Sequence, residues 1–571
     1  MSSAYHTLPA RSRVARARLG RSDGGAERRK TRTEGVKALA MIAALLPVLS
    51  GCGSGPTATV AQNSNDKLQS TRAQGNPEDI GPFNGGSWFG SGLKGGAVSD
   101  EPRAALVARD ILAAGGNAAD AAVAAYFALS VTLPSAAGLG GGGVCLVHDA
   151  EKKTTDVFDF LPRAAAGGLV AVPGNVRGMA AINARYGKLP WAQLVAPAAS
   201  LAGTGTAVSR AFTTELAAAG SRLSEDPQMA AAFTKSDGSA LGESDNLRQV
   251  DLGATLERIR AGGVNEFYSG QLGRALSDAA QSIGAPLTIE DLRAAKTVVY
   301  PPAAVEIGDQ ELYFPAPPSA GGVLAVQMIS ALDDLGSAKP ADVAKAINGL
   351  VADRDAWMKP GGDASKPVAD LVAGNYVQSA VNAKASAPAH AMDENPSATG
   401  LVTVDGEGQG VACEFTMNAP FGSARIAPGT GIILAPAPND RGAGFSALGP
   451  LMLASNNSGR LYFLAAGSGG TPGDIAKATL FDAVHRQEIA MEKAMGAGRM
   501  FADGTGNVYI EDSIAGEQAA IAGAGFKVEQ VDKLARVNAI YCPKSTPEDP
   551  DGCQFRNDYR GSGLVTTVNQ E

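Results

Sequence analysis

The stretch that most constrains this chain is residues 397–440, SATGLVTVDGEGQGVACEFTMNAPFGSARIAPGTGIILAPAPND. Leu401, Thr403, Val411, Cys413 and Phe415 supply apolar or β-branched positions, and Asp405-Gly406-Glu407-Gly408 between them carries the Asp/Gly chemistry of a tight connection. Two strands joined by a turn are expected here, followed by Thr416, Asn418 and Phe421-Gly422-Ser423 and then a glycine-punctuated loop.

Upstream, PRAALVARDILAAGG predicts a helix that stops at Gly115-Gly116, and NAADAAVAAYFAL predicts a second one that Asn117 can cap. The alanines of the second helix allow close packing. Pro134 to Gly143 then reads PSAAGLGGGG before the strand Val144-Cys145-Leu146-Val147. A glycine run can cradle phosphate when Lys-Ser/Thr follows it at the start of a helix; neither follows here, so a nucleotide loop is not expected. Alanine-rich helices alternating with β-branched strands argue for an α/β layered fold.

At 571 residues, with 45% hydrophobic and 5% aromatic content, the chain can bury a large core in more than one lobe. Its first 37 residues hold ten Lys/Arg against Asp23, Glu27 and Glu34. Residues 38–49, ALAMIAALLPVL, form an uncharged apolar run of signal-peptide length, too short to span a bilayer as a helix. The run ends in Leu49-Ser50-Gly51-Cys52, which resembles the bacterial lipobox, whose cysteine is acylated before cleavage. Residues 1–51 are therefore expected to be a lipoprotein signal with a basic arm, Cys52 the lipidation site, and the polar residues 52–91 a flexible tether. The protein is expected in the cell envelope, lipid-anchored and facing the periplasm, with the membrane as a partner through that anchor. Loss of residues 1–51 moves the formal net charge from −8 to −15, which does not favour nucleic acid as a partner.

Cys542 and Cys553 flank the polar loop YCPKSTPEDPDGC, and in an oxidising compartment a disulfide closing it is expected. Cys145 and Cys413 lie in apolar strand-like runs and read as buried thiols. His6, His148, His390 and His485 are scattered without metal-ligand spacing, so no metal site is expected, and no cofactor is expected either.

Together, these motifs resemble the gamma-glutamyltransferase (gamma-glutamyltranspeptidase) family. The start of that family's small subunit is matched through Gly408, Val411, Thr416, Met417, Asn418, Phe421 and Gly422. Earlier family landmarks follow in order, among them GGNAADAAVA with the later glycine run, Val172-Pro173-Gly174, Leu287-Thr288-Ile289-Glu290-Asp291-Leu292 and Pro317-Pro318-Ser319-Ala320-Gly321-Gly322. The resemblance implies an N-terminal-nucleophile hydrolase fold (αββα): two stacked, mostly antiparallel sheets covered by helices on both sides. It makes residues 92–396 a large-subunit-like region and 397–571 a small-subunit-like region of that one fold.

The family's chemistry starts with self-cleavage, which leaves a threonine as the first residue of the small subunit. Its hydroxyl then attacks a γ-glutamyl carbonyl while its own α-amino group takes the proton. Counting back from Gly408 without a gap puts Ala398 at the nucleophile position and Gly400 where the family has histidine. Carried over residue by residue, Thr416 corresponds to the threonine that bonds the nucleophile, and Asn418 to a ligand of the glutamyl carboxylate. Asp440 corresponds to the acid that pairs with the substrate amino group, Ser446 to the first serine of a Ser-Ser run, and Gly469 and Gly470 to the oxyanion donors. Leu161 replaces the carboxylate-clamping arginine, with Arg163 the nearest candidate. Three readings follow. One is a γ-glutamyl hydrolase or transferase acting on glutathione-like small molecules or peptides through a shifted nucleophile, Thr399 or else Ser397. The second is an unprocessed, inactive relative that binds in the periplasm. The third is an amide hydrolase of the same fold whose substrate lacks the α-carboxylate.

Overall fold

The computed structural model describes residues 92–336, 339–359, 362–383, 397–438 and 446–570. Cys52, Asp440 and the expected signal and tether segments lie outside the described residues.

The strands of the two large sheets are, in chain order, β1 (Leu93–Ser99), β2 (Gly142–Asp149), β3 (Thr154–Phe160), β4 (Val298–Tyr300), β5 (Ala303–Ile307), β6 (Gln310–Phe314), β7 (Ala398–Asp405), β8 (Gly410–Thr416), β9 (Leu451–Ser455), β10 (Arg460–Ser468), β11 (Arg536–Thr546), β12 (Gln554–Arg556) and β13 (Leu564–Asn569). They form a seven-stranded sheet, β13-β1-β7-β8-β2-β3-β4, and a six-stranded sheet, β12-β11-β10-β9-β6-β5. All neighbouring pairs in both are antiparallel. The helices that matter below are α1 (Pro102–Ala113), α2 (Ala118–Thr132), α3 (Arg210–Ala219), α4 (Gly321–Leu335), α5 (Pro340–Trp357), α6 (Thr471–Phe481) and α7 (Met491–Gly496).

Three apolar clusters define the layers. One joins α1 and α2 to the outer face of the first sheet, and one joins α4, α5 and α6 to the outer face of the second. The third fills the space between the sheets. Strand β7 shows how the sequence feeds this: Leu401 enters the helix-side cluster, while Ala398, Val402 and Val404 enter the inter-sheet cluster. The helix–sheet–sheet–helix arrangement expected from the resemblance is present.

The β7–β8 turn holds more than the hairpin. The Asp405 carboxylate accepts from Glu407 N at 3.1 Å and Gln409 N at 2.9 Å, and with its other oxygen from Ala118 N at 3.0 Å, at the positive end of α2. Asn117 caps the same helix through a reciprocal box with Asp120. The first and last strands close the sheet edge side by side, with Leu93 opposite Asn569.

The cysteines correct one expectation. Cys145 on β2 stands directly opposite Cys413 on β8, Cα atoms 4.1 Å apart, and the two form a disulfide rather than remaining buried thiols. Their partnership depends on strand order across a separation of 268 residues, which neither local sequence reveals. Cys542 and Cys553 form the expected short-loop disulfide.

Candidate active site

The β7–β8 ladder is regular from Ala398↔Thr416 through Gly400↔Glu414 to Val404↔Gly410, with no bulge. Register therefore decides which side chains share a face. Ala398, Gly400, Glu414 and Thr416 point toward the second sheet, whereas Thr399 points the other way. The Ala398 methyl is buried in the inter-sheet cluster together with Leu161, Leu448 and Ala466. The candidate shifted nucleophile Thr399 is fully buried, and its hydroxyl donates to Asp100 Oδ2 at 2.9 Å. The same carboxylate oxygen accepts from Gly400 N at 3.2 Å, and its other oxygen accepts from Asn538 Nδ2 at 2.9 Å. The candidate nucleophile Thr399 therefore has its hydroxyl on the face away from Thr416, in a register without a slip. Ser397, with φ at +46°, donates its hydroxyl to the Ser135 carbonyl at 2.8 Å.

Gly400 also has a steric reason. A Cβ there would lie 2.8 Å from the backbone carbonyl of Ala466 on β10, so no larger side chain fits where the two sheets approach. Asn538, opposite Ala466 on β11, ties the sheets together by donating to Gly400 O at 3.0 Å. Beyond Ala466, β10 ends at Ser468, and Gly469 and Gly470 follow with φ of +98° and +68°. A Cβ on Gly469 would lie 2.8 Å from Ala535 Cα. Both positions require glycine, and Gly470 opens α6.

The remaining candidates are accounted for as follows. Thr416 Oγ1 accepts from Asn418 N at 2.9 Å. Asn418 occupies the left-handed region at φ +59°, which asparagine tolerates, and its side-chain amide donates to Pro162 O at 3.2 Å and Pro436 O at 3.0 Å. Both amide hydrogens are thereby spent on backbone. Ser446 is buried and its carbonyl accepts from Ala320 N at 2.9 Å. Arg163 is held in a two-pronged ion pair with Asp159, at 3.0 and 2.7 Å, on a half-exposed side chain. Leu161, not Arg163, occupies the inter-sheet position.

Sequence reading missed a charged cluster on the same face. Lys477 of α6 reaches Glu414 Oε1 at 2.6 Å, Asp474 Oδ1 at 3.1 Å and the Gly449 carbonyl at 2.7 Å, all with 1% side-chain exposure for the three ionisable groups. Glu414 further accepts from Gly467 N and Gly449 N at 2.6 and 2.7 Å. Burial pushes the Asp474 carboxyl up to about 7, against the pull of Lys477. Burial alone would lower the Lys477 ammonium, but Glu414 and Asp474 together hold it above the ordinary lysine value. The available signal was a single glutamate inside the apolar run VACEFT.

A family model described as Gamma-glutamyltranspeptidase matches residues 104–568. The glutathione hydrolase proenzyme of Escherichia coli K12 is 30% identical over 380 residues, which is 60% of this chain and 66% of that protein. The acylase ACY 1 proenzyme of Pseudomonas sp. strain V22 is 29% identical over 516 residues, 79% of this chain and 90% of that protein. Among solved structures, cephalosporin acylase from Bacillus halodurans has the same fold, with a TM-score of 0.71 at 22% identity, covering 84% of this chain and 97% of that one.

Proposed function

The chain belongs to the gamma-glutamyltranspeptidase family, and from that premise we propose that it is an unprocessed, hydrolytically silent member, kept as a binding lipoprotein of the cell envelope. The family's activity is hydrolysis and transfer of γ-glutamyl groups, begun by a hydroxyl at the first position of the small subunit. The observation that carries the proposal is the Ala398 methyl at that position in an unbroken strand register. A methyl group neither attacks a carbonyl nor yields a proton to a base. Thr399 does not substitute for it, because its hydroxyl is committed to Asp100 on the opposite face.

Leu161 favours a particular kind of occupant for the family pocket. An apolar side chain beside Ala398, with Arg163 paired to Asp159, removes the clamp for an α-carboxylate. An apolar lining of this kind would suit an amide with an apolar acyl part, a reading that agrees with the high coverage of an acylase proenzyme. Residues 38–52 support export and acylation at Cys52.

Intact-mass measurement of the mature protein, with N-terminal sequencing and a chromogenic γ-glutamyl anilide assay, tests the proposal. One uncleaved chain starting at an acylated Cys52 is expected, with turnover several orders of magnitude below that of active relatives. Two fragments, the smaller beginning at Thr399 or Ser397, would sink it and name the nucleophile.

A further inference from the structure

We propose that the protein has a second small-molecule site, unrelated to the family pocket, that takes a zwitterionic α-amino acid or short peptide. It is a cleft of about 540 Å³ between the C-terminal segment around Arg556 and Gly563, α7, and the N-terminal turns of α1 and α3. That volume lies within the range of about 300 to 1,000 Å³ that small-ligand pockets occupy. Its place follows from strand register. Leu564, the first residue of β13, pairs with Ser99, which pairs with Leu401, so the cleft opens at the same sheet end as Ala398 but toward the β13 edge. Ala398, Thr416, Asn418, Ser446 and Gly469 are not among its lining residues.

The charges in the cleft define its ligand. Arg556 and Arg210 line it together with Glu492 and Glu243. Arg556 is 6% exposed, and its guanidinium is fixed by a bond from Nη1 to the Phe555 carbonyl at 2.8 Å. Its Nη2 reaches Glu492 only at 3.4 Å, and its buried Nε has no partner. A buried guanidinium with unspent donors favours a carboxylate. Glu492 has its side chain 62% exposed, and Glu243, 49% exposed, pairs loosely with Arg210 at 3.2 Å. Such exposed pairs are weak and easily rearranged. A simple anion would meet two carboxylates here, and a simple cation would meet two guanidinium groups. A molecule carrying an ammonium and a carboxylate satisfies both sets at once. The N-terminus of α3 at Ser209 adds to the carboxylate side, whereas that of α1 is already capped by the Glu101 carboxylate, which accepts from Ala104 N. The half-exposed Tyr559 ring, under the Arg560 guanidinium at 4.4 Å, supplies an apolar wall.

The site is tested by calorimetric titration of the full-length protein with L-alanyl-L-alanine, alongside its N-acetylated and C-amidated forms. Saturable one-to-one binding is expected, and capping either end should weaken it by about tenfold or more, the usual loss for one charge-assisted hydrogen bond. Glu492→Gln should erase the penalty for N-acetylation, and Arg556→Met the penalty for C-amidation. The exposed Arg210→Met variant provides a second reading of the carboxylate side if Arg556→Met fails to fold. Absence of saturable binding at millimolar dipeptide, or equal binding of free and capped forms, overturns the proposal. Neither result depends on whether the chain is cleaved, so the outcome is separable from that of the family pocket.

Discussion

Two neighbouring pairs on one face of the β7–β8 ladder make opposite use of the same inter-sheet space. Ala398 opposite Thr416 belongs to the apolar inter-sheet cluster that also holds Leu161, Leu448 and Ala466. One step along that face, Gly400 opposite Glu414 sits beside three buried charges in contact. The difference teaches that charge density and reactivity are separate properties. Glu414 and Lys477 are each bound by backbone groups as well as by one another, so their energy goes into holding the sheets in place.

Three experiments test this contrast. The largest effect is expected on the opposite face of the ladder, where Cys413 is tied to Cys145. Replacing both by alanine should cost about 5.6 kcal/mol in the chain-entropy model, because the bridge closes a loop of 268 residues. The equivalent change at Cys542 and Cys553, a separation of 11, should cost about 3 kcal/mol. Urea unfolding of the two double variants measures both, and a reversed order would show that the ladder does not carry the molecule's stability.

The next effect is at Lys477. Lys477→Met leaves the buried Glu414 carboxylate without its lysine partner, which should cost about 3 to 5 kcal/mol, whereas Lys477→Met combined with Glu414→Leu should recover much of that. If the single variant unfolds at the wild-type urea midpoint, the contrast drawn between the two pairs is wrong.

The third test is the pH dependence that Asp474 imposes. Its folded pKa of about 7 lies above the ordinary 3.8. Its contribution to stability is complete below about pH 4, where folded and unfolded chains both hold the proton. It is lost as pH rises toward 7, because the unfolded chain releases the proton first. Between those limits stability should fall by up to about 1.4 kcal/mol per pH unit. Asp474→Asn should flatten that slope, as thermal melts at pH 4, 5.5 and 7 would register. An unchanged slope would assign the dependence to other groups.

Much of the fold was legible because its signals are local. Alternation in 398–405 and 410–416, the Asp405 turn and the Asn117 cap each lie within a few residues of what they specify. The spacing counted back from Gly408 to Ala398 carries no bulge in the hairpin. What escaped depends on pairing between distant segments. Cys145 meets Cys413 only through β2–β8 adjacency, and Glu414 meets Lys477 only because α6 packs beneath the second sheet. The face on which Thr399 lies required the observed register, since a single bulge would have reversed it. The cleft at Arg556 joins residues from Pro102 to Gly563, so no window of sequence contains it.

The pairing of Leu93 with Asn569 on the closed sheet edge carries a topological consequence. The two ends of the described fold are neighbours, so a short linker can join them without crossing the core. The chain can then be reopened immediately before position 398. A circular permutant of this kind carrying Ala398→Thr would be synthesised with a free α-amino group on the residue where the family's small chain begins. Peptide-bond scission and substrate turnover, which natural members obtain from a single hydroxyl in succession, would thereby become separable, and the second could be assayed in a protein never required to perform the first.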